Sequence, residues 1–156
     1  MLELKDIINH IRHRSYMSGI RRDALRVKQT GEVFTPTKCV QDCLDQIQDK
    51  TIFTDPTKTV IDNSAGDGQF LGEVLIRKVE NGIPFQIALS TIFGVEKELD
   101  NVKLCQERLL CGQEDLRHIV EKNIVCHDAL TYDYSFNGTN KNKSEALFDN
   151  LFEHEQ

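Results

Sequence analysis

Apolar residues along this chain follow two periods, one typical of helices and one typical of strands. A spacing of three or four residues between apolar positions predicts amphipathic helices. Five segments have this spacing: 2–27 (with a break near Ser18-Gly19), 38–48, 70–80, 99–110 and 114–122. Residues 30–36 are expected to be extended, because Pro36 disfavours helix in the residue before it. Residues 51–58 are expected to form a polar connection.

Short runs rich in β-branched residues lie between the helices. Three of them, 59–62 (TVID), 91–96 (TIFGVE) and 123–126 (NIVC), predict buried strands, and 146–152 predicts a fourth. Strands and helices therefore alternate along the chain. This order predicts an α/β fold with a Rossmann-like, doubly wound parallel sheet, truncated to about four strands.

Acidic residues stand at or just after the ends of three predicted strands: Asp62, Glu96 and Asp128. A parallel sheet binds ligands in the crevice at the carboxyl ends of its strands. Since an ionised carboxylate only accepts hydrogen bonds, three acids there suit a ligand with several hydroxyl and amino donors. The structural alternative is that the acids cap the helices that follow.

A glycine loop, residues 63–68, joins the first strand to its helix. Gly66 and Gly68 would let a ligand approach the backbone, because glycine has no side chain to exclude it. The loop departs from the dinucleotide pattern G-x-G-x-x-G, since Leu71 occupies the third glycine position and Glu96 follows Gly68 by 28 residues instead of about 20. The Gly-Lys-Ser/Thr sequence of phosphate-binding loops is also absent. These departures argue against nicotinamide and nucleoside triphosphate ligands.

Composition narrows the class of protein. With 156 residues, of which 39% are hydrophobic, the chain suits one compact domain. No stretch approaches the about 20 apolar residues of a spanning helix, and the charged N-terminus lacks the apolar run of a secretory signal. We therefore expect a cytoplasmic protein with no membrane contact. The five cysteines include no C-x-x-C pair and are expected to be free thiols: Cys39, Cys43, Cys105, Cys111 and Cys126.

Charge is unevenly distributed along the chain. The net charge of -6 argues against a protein covered in phosphate contacts. Residues 1–30, however, hold seven basic and three acidic residues, a balance of +4 that leaves -10 for the remainder. The alternative to a nucleic-acid contact here is a solvated helix face. The residues predicted to contact nucleic acid are Arg12, Arg14, Arg21, Arg22, Arg26 and Lys28.

Four strings of residues, in this order, resemble conserved elements of one known family: TGEVFTP (30–36), VIDNSAGDGQFL (60–71), FGVEKE (93–98) and NIVCHDAL (123–130). The family is the gamma-type DNA adenine N6-methyltransferases of restriction-modification systems and phages. In that family the four elements are the first conserved motif, the cofactor loop, the ribose-binding strand end and the adenine-binding strand end. The resemblance implies a class I methyltransferase fold and S-adenosylmethionine as cofactor, in a bacterial or phage-infected cell.

The resemblance also implies a role for each matching polar residue. Thr35 would approach the methionine carboxylate of the cofactor, and Asp62 would accept a hydrogen bond from its ammonium group. Glu96 would accept from both ribose hydroxyls, and Asp128 from the exocyclic amine of the adenine.

Four further residues are implied to line the same pocket. Gly66 and Gly68 would pass close beneath the cofactor. Phe34 and Ala129 would supply flat apolar contacts, although a role in the core remains an alternative for Phe34.

The motif that performs methyl transfer in this family is absent. Adenine N6 is a weak nucleophile, because its lone pair is delocalised into the ring, so these enzymes flip the base and hold its amine with Asn/Asp-Pro-Pro-Tyr/Phe. The corresponding position here holds His154, Glu155 and Gln156, and no catalytic residue is assigned. We expect an S-adenosylmethionine-binding protein that either needs a partner for methyl transfer or is catalytically inactive.

The expected organisation is a basic helical segment, 1–28, followed by a partial cofactor-binding domain, 29–156. A sheet that stops at its fourth strand leaves an exposed edge, where a second copy or a partner subunit is expected. The alternative function is a non-catalytic interaction or DNA-binding protein, of phage type, on a degenerate methyltransferase fold. Methylation of a small molecule or protein is a third possibility, which the TGEVFTP element disfavours.

Overall fold

The described part of the chain is an α/β unit built on a three-stranded parallel sheet. The computed structural model describes residues 1–13 and 35–138. The strands are β1 (Val60–Asp62), β2 (Ile92–Glu96) and β3 (Ile124–Cys126), in the order β1-β2-β3. Both neighbouring pairs are parallel, which confirms the α/β class and the parallel sheet. The fourth predicted strand and the predicted domain boundary lie outside the described residues.

Seven α-helices accompany the sheet in the described residues: α1 (Leu4–His13), α2 (Thr37–Asp45), α3 (Thr51–Thr54), α4 (Gln69–Glu80), α5 (Phe85–Ser90), α6 (Leu99–Leu110) and α7 (Arg117–Asn123). A single turn of 3-10 helix, Glu114–Leu116, leads into α7. Most bounds follow the apolar spacing, and α6 spans the predicted residues. Of the first predicted helix, only α1 lies in the described residues.

Two helices differ from the sequence-based expectation. The stretch expected to be a polar connection contains α3, where the Asp49 carboxylate accepts from the backbone N–H of Thr51 at 3.0 Å and Phe53 is buried. Helix α5 was not predicted at all. It begins after Pro84, whose extended backbone (φ -55°, ψ 141°) suits the residue before a first turn, and it buries only Ala88 and Leu89.

 A helix of six residues is too short to give a periodic apolar signal, so the sequence did not indicate α5.

The core lies on one face of the sheet. All seven described helices contribute to a single apolar cluster, together with Ile92 of β2 and Ile124 of β3. Because side chains alternate along a strand, Val95 and Val125 point to the opposite face, where they pack with Tyr132 from the segment after β3. Within the described residues the helices therefore cover one face only. The doubly wound arrangement, with helices on both faces, is not seen there.

Candidate functional site

The strand register places two of the three predicted acids on one side of the sheet. Asp62 of β1 is paired with Gly94 of β2, and Glu96 lies two residues after Gly94 on the same strand. Glu96 is in turn paired with Cys126 of β3, and Asp128 lies two residues after Cys126. Steps of two residues along a strand return to the same face. The acids that close β1 and β2 therefore share the face that carries α4, and Asp128 follows β3 at the same carboxyl edge.

Each of the three acids also closes a local turn. Asp62 accepts from the N–H of Ser64, Glu96 from that of Glu98, and Asp128 from that of Leu130, each at 2.9 Å.

These turns are not helix caps. The residues before α4 and α6 are Gly68 and Glu98, and neither helix has a side-chain cap hydrogen bond. The capping alternative is therefore wrong for Asp62 and Glu96, although both acids do stabilise the ends of their strands.

Glu96 makes one further hydrogen bond that spans the site. Its second carboxylate oxygen accepts from the N–H of Gly66 at 2.7 Å, which joins the end of β2 to the loop after β1. Each oxygen of a carboxylate has two acceptor positions, so both oxygens of Glu96 can accept from another donor. Glu96 is half-buried and therefore remains accessible.

The two predicted glycines differ in what surrounds them. Gly66 has φ +54°, and no atom of the described residues lies within 4 Å of where a Cβ would stand, so these residues leave open space above the loop. Gly68 has φ +91°, and a Cβ there would lie 2.9 Å from the Cys105 sulfur of α6. The positive φ favours glycine at both positions, but only Gly66 leaves room for a ligand, whereas Gly68 is also required by packing against α6.

Thr35 lies beside the start of α4. Its carbonyl oxygen accepts from the Gln69 side-chain amide at 2.7 Å, and Gln69 is the first residue of that helix. The end of the TGEVFTP element and the end of the glycine loop are thus brought together, although 34 residues separate Thr35 from Gln69. Sequence reasoning did not single out Gln69.

A buried ion pair joins the glycine loop to α6. Nη1 of Arg108 lies 3.2 Å from a carboxylate oxygen of Asp67 and 3.3 Å from the Asp67 carbonyl, and each side chain is 1% exposed. Arg108 comes from the last turn of α6, and Asp67 lies between the two glycines. Their separation of 41 residues gives no local signal, so the sequence analysis missed the pair.

Burial changes the acidity of one strand-end acid. Removal from water raises the pKa of Asp62 above its usual value, and the hydrogen bond from the Ser64 N–H acts in the opposite direction. Desolvated carboxylates of this kind are frequent at functional sites.

Of the predicted nucleic-acid contacts, only Arg12 lies in the described residues. Its guanidinium forms two hydrogen bonds of 2.9 Å with the carboxylate of Glu73 in α4, whose side chain is 4% exposed. Arg12 therefore joins α1 to α4. The other predicted contacts lie outside the described residues: Arg14, Arg21, Arg22, Arg26 and Lys28.

The two predicted apolar contacts have different outcomes. Phe34 lies outside the described residues. Ala129 is half-buried and packs against the cluster of Val95, Val125 and Tyr132, and its carbonyl accepts from the Tyr134 hydroxyl at 2.8 Å. This position gives Ala129 a packing role whether or not it contacts a ligand.

Comparisons with known proteins do not identify the chain. No protein-family model matches it, and no curated protein or solved structure is significantly similar to it. None of the helices in the described ranges is long and apolar enough to cross a membrane. All five cysteines lie in those ranges and are free thiols.

Proposed function

We propose that this chain binds S-adenosylmethionine at the carboxyl edge of the sheet, as a protein of the DNA adenine N6-methyltransferase type. The observation that carries the proposal is the shared location of Asp62, Glu96 and the open loop at Gly66. Two acceptors on one side of adjacent strands, with free space over a glycine between them, suit a ligand that has a ribose and an ammonium group.

The start of α4 adds a complementary feature. Among the residues that the structure describes, this helix has no side-chain cap and no acidic residue in its first turn, so these residues leave its N-terminal N–H groups available to a carboxylate. Thr35 is held beside this turn by Gln69. An amino-acid moiety placed here would have its carboxylate near the helix start and its ammonium near Asp62.

The proposed role stops at cofactor binding for this chain alone. Bound S-adenosylmethionine would supply an activated methyl group, but the sequence has no Asn-Pro-Pro-Tyr motif to hold a flipped adenine. We therefore propose that methyl transfer requires a partner that supplies the base-holding residues, or that the chain acts without catalysis. DNA contact by the basic residues of 14–28 belongs to the same proposal.

A second candidate function rests on the local turns. Because Asp62, Glu96 and Asp128 each accept an N–H two residues ahead, the arrangement is able to persist without any ligand. A non-catalytic interaction protein that has kept a methyltransferase-like fold is therefore the alternative. Failure to bind S-adenosylmethionine or S-adenosylhomocysteine would favour it.

The Glu96→Ala variant tests the pocket assignment. Two charge-assisted hydrogen bonds to a ribose are each worth about 1.5 to 3 kcal/mol, so the variant should bind S-adenosylhomocysteine at least about 10-fold more weakly. Asp115→Ala is a matched control, because it removes one exposed acid of the turn before α7. Calorimetric titration of both variants, with a thermal melt to check folding, measures the effect. Equal affinities in the two variants would contradict the assignment.

A further inference from the structure

An apolar groove lies between the face of the sheet opposite the core and residues of α7 that form one of its walls. Its volume is about 610 Å³, and its apolar lining is Ile61, Phe93, Ile119, Tyr134 and Phe136. Thr59, Ser90 and Asn123, which precede the three strands, also line it. The groove therefore lies toward the amino ends of the strands, whereas the proposed cofactor site lies at their carboxyl ends. The two sites are separate.

The groove exposes residues that a parallel sheet normally buries. Ile61, in the middle of β1, is 49% exposed, and Tyr134 is 41% exposed. Parallel sheets are usually covered on both faces, because their strands are apolar on both sides. The Phe93 and Phe136 rings, which both line the groove, pack against each other with their centroids 4.9 Å apart. An apolar surface of this kind is expected to have an occupant.

The described chain stops at the edge of this groove. A Cβ on Gly138 would lie 3.8 Å from Cγ of Lys122, and Lys122 is a lining residue. Residues 139–144 can span at most about 20 Å, which is enough to carry the following segment over the groove. A tethered segment also has an effective concentration in the millimolar range, which favours it over a free partner.

The segment 145–152 (EALFDNLF) has the composition that this groove requires. It contains four large apolar residues: Leu147, Phe148, Leu151 and Phe152. A helical conformation would place all four on one stripe, and an extended one would place the two phenylalanines on the same side. Its charged residues, Glu145 and Asp149, are both acidic, whereas Lys122 and His118 line the groove.

We propose that the segment 145–152 of this same chain docks in the groove, with its apolar side chains against Ile61 and Phe93 and its acidic residues beside Lys122. The segment covers the second face of the sheet and completes the core. This interaction is independent of cofactor binding.

A tryptophan probe tests the proposal in the full chain. The protein has no tryptophan, so Phe148→Trp introduces a unique fluorophore. We expect blue-shifted emission and weak quenching by acrylamide, both unchanged on dilution. Adding Ile61→Asp should raise quenching several-fold. Ile87→Asp is the control, because Ile87 is 43% exposed but does not line the groove.

A second pair of variants covers the case in which Ile61→Asp fails to fold. Lys122→Glu changes an exposed residue, so folding is retained, and it should raise quenching in the Phe148→Trp background. Asp149→Lys should then restore protection. An exposed tryptophan in the parent, or quenching that neither groove variant changes, would overturn the proposal. Protection that is lost on dilution would overturn it in favour of a second copy as the occupant.

Discussion

At the scale of single residues, the site is built from acids that have two tasks. Asp62 closes a turn with Ser64 and also lies half-buried at the carboxyl edge of the sheet. Burial raises its pKa, so its ionised form is less favourable in the folded protein than in the unfolded chain. A residue kept at such a cost in stability is a candidate for function.

The Asp62→Asn variant separates these two tasks. The amide oxygen can still accept from Ser64, but the charge is lost, so binding of S-adenosylmethionine should weaken about 10-fold. Asp133→Asn is the control, because Asp133 also accepts from the N–H two residues ahead, at 3.1 Å, but is exposed and follows no strand. Calorimetry on the two variants measures the difference, and equal affinity in both would count against the ammonium contact.

The raised pKa of Asp62 predicts that the stability of the wild-type protein depends on pH. An acid whose folded-state pKa is raised stabilises the fold at low pH, and this contribution is lost as pH rises from the ordinary aspartate pKa of 3.8 through the raised folded-state pKa. Asp62→Asn should lack this loss and should melt higher than wild type at pH 7. Thermal melts between pH 3 and 7 measure the two curves. Curves that stay parallel over that range would show that Asp62 is not desolvated.

At the scale of elements, two ion pairs join helices to the centre of the fold. The Asp67–Arg108 pair connects the glycine loop to α6, and the Arg12–Glu73 pair connects α1 to α4. A buried ion pair is strongly destabilising when only one partner is removed, because the other charge is left in the interior. The shape of the loop thus depends on a helix that comes after it in the sequence.

Arg108→Met should destabilise the protein by about 3 to 5 kcal/mol, since it leaves Asp67 buried without this partner. Arg117→Ala is the matched control, because the Arg117 side chain is 32% exposed where it pairs with Glu107 and Glu114. The control should cost no more than about 1 kcal/mol. Urea unfolding gives both values. If the two variants lowered the free energy of unfolding by similar amounts, burial of the Asp67–Arg108 pair would not make it more important to stability than the exposed pair.

Arg12→Ala should lower the free energy of unfolding by about 1.5 to 3 kcal/mol, because it removes two hydrogen bonds from a buried carboxylate. Lys5→Ala provides the comparison, since Lys5 pairs with Glu3 at the surface and should contribute little. Both are measured by urea unfolding. If Arg12→Ala left the stability unchanged and weakened binding to duplex DNA, the result would contradict the structural role and support the predicted contact of Arg12 with nucleic acid.

At the scale of the whole molecule, the sequence predicted those features that depend on local signals. The three strands and α6 follow from β-branched runs and from apolar spacing that ends at Gly112. Helices α3 and α5 were missed, because four and six residues are too few to show a period. The ion pair of Asp67 with Arg108 and the packing of all the described helices on one face of the sheet could not be predicted, since both depend on contacts between distant parts of the chain.

As with the fold, only the parts of the candidate site that depend on local sequence signals were predicted. The positions of Asp62 and Glu96 on one face follow from strand ends and register, which a sequence can indicate. The hydrogen bond from Gly66 to Glu96 and the contact of Gly68 with Cys105 depend on how the loop folds back over β2. Spacing alone cannot distinguish a glycine that leaves room for a ligand from one that leaves room for a helix.

Titration calorimetry of the wild-type chain with S-adenosylmethionine, S-adenosylhomocysteine and NAD tests the proposed function most directly. We expect saturable binding of the first two ligands and none of NAD, because the strand-end acids and the open loop suit the amino-acid and ribose groups while the dinucleotide pattern is absent. No binding of either methyl-donor ligand by the folded protein would contradict the proposed function and favour the interaction protein.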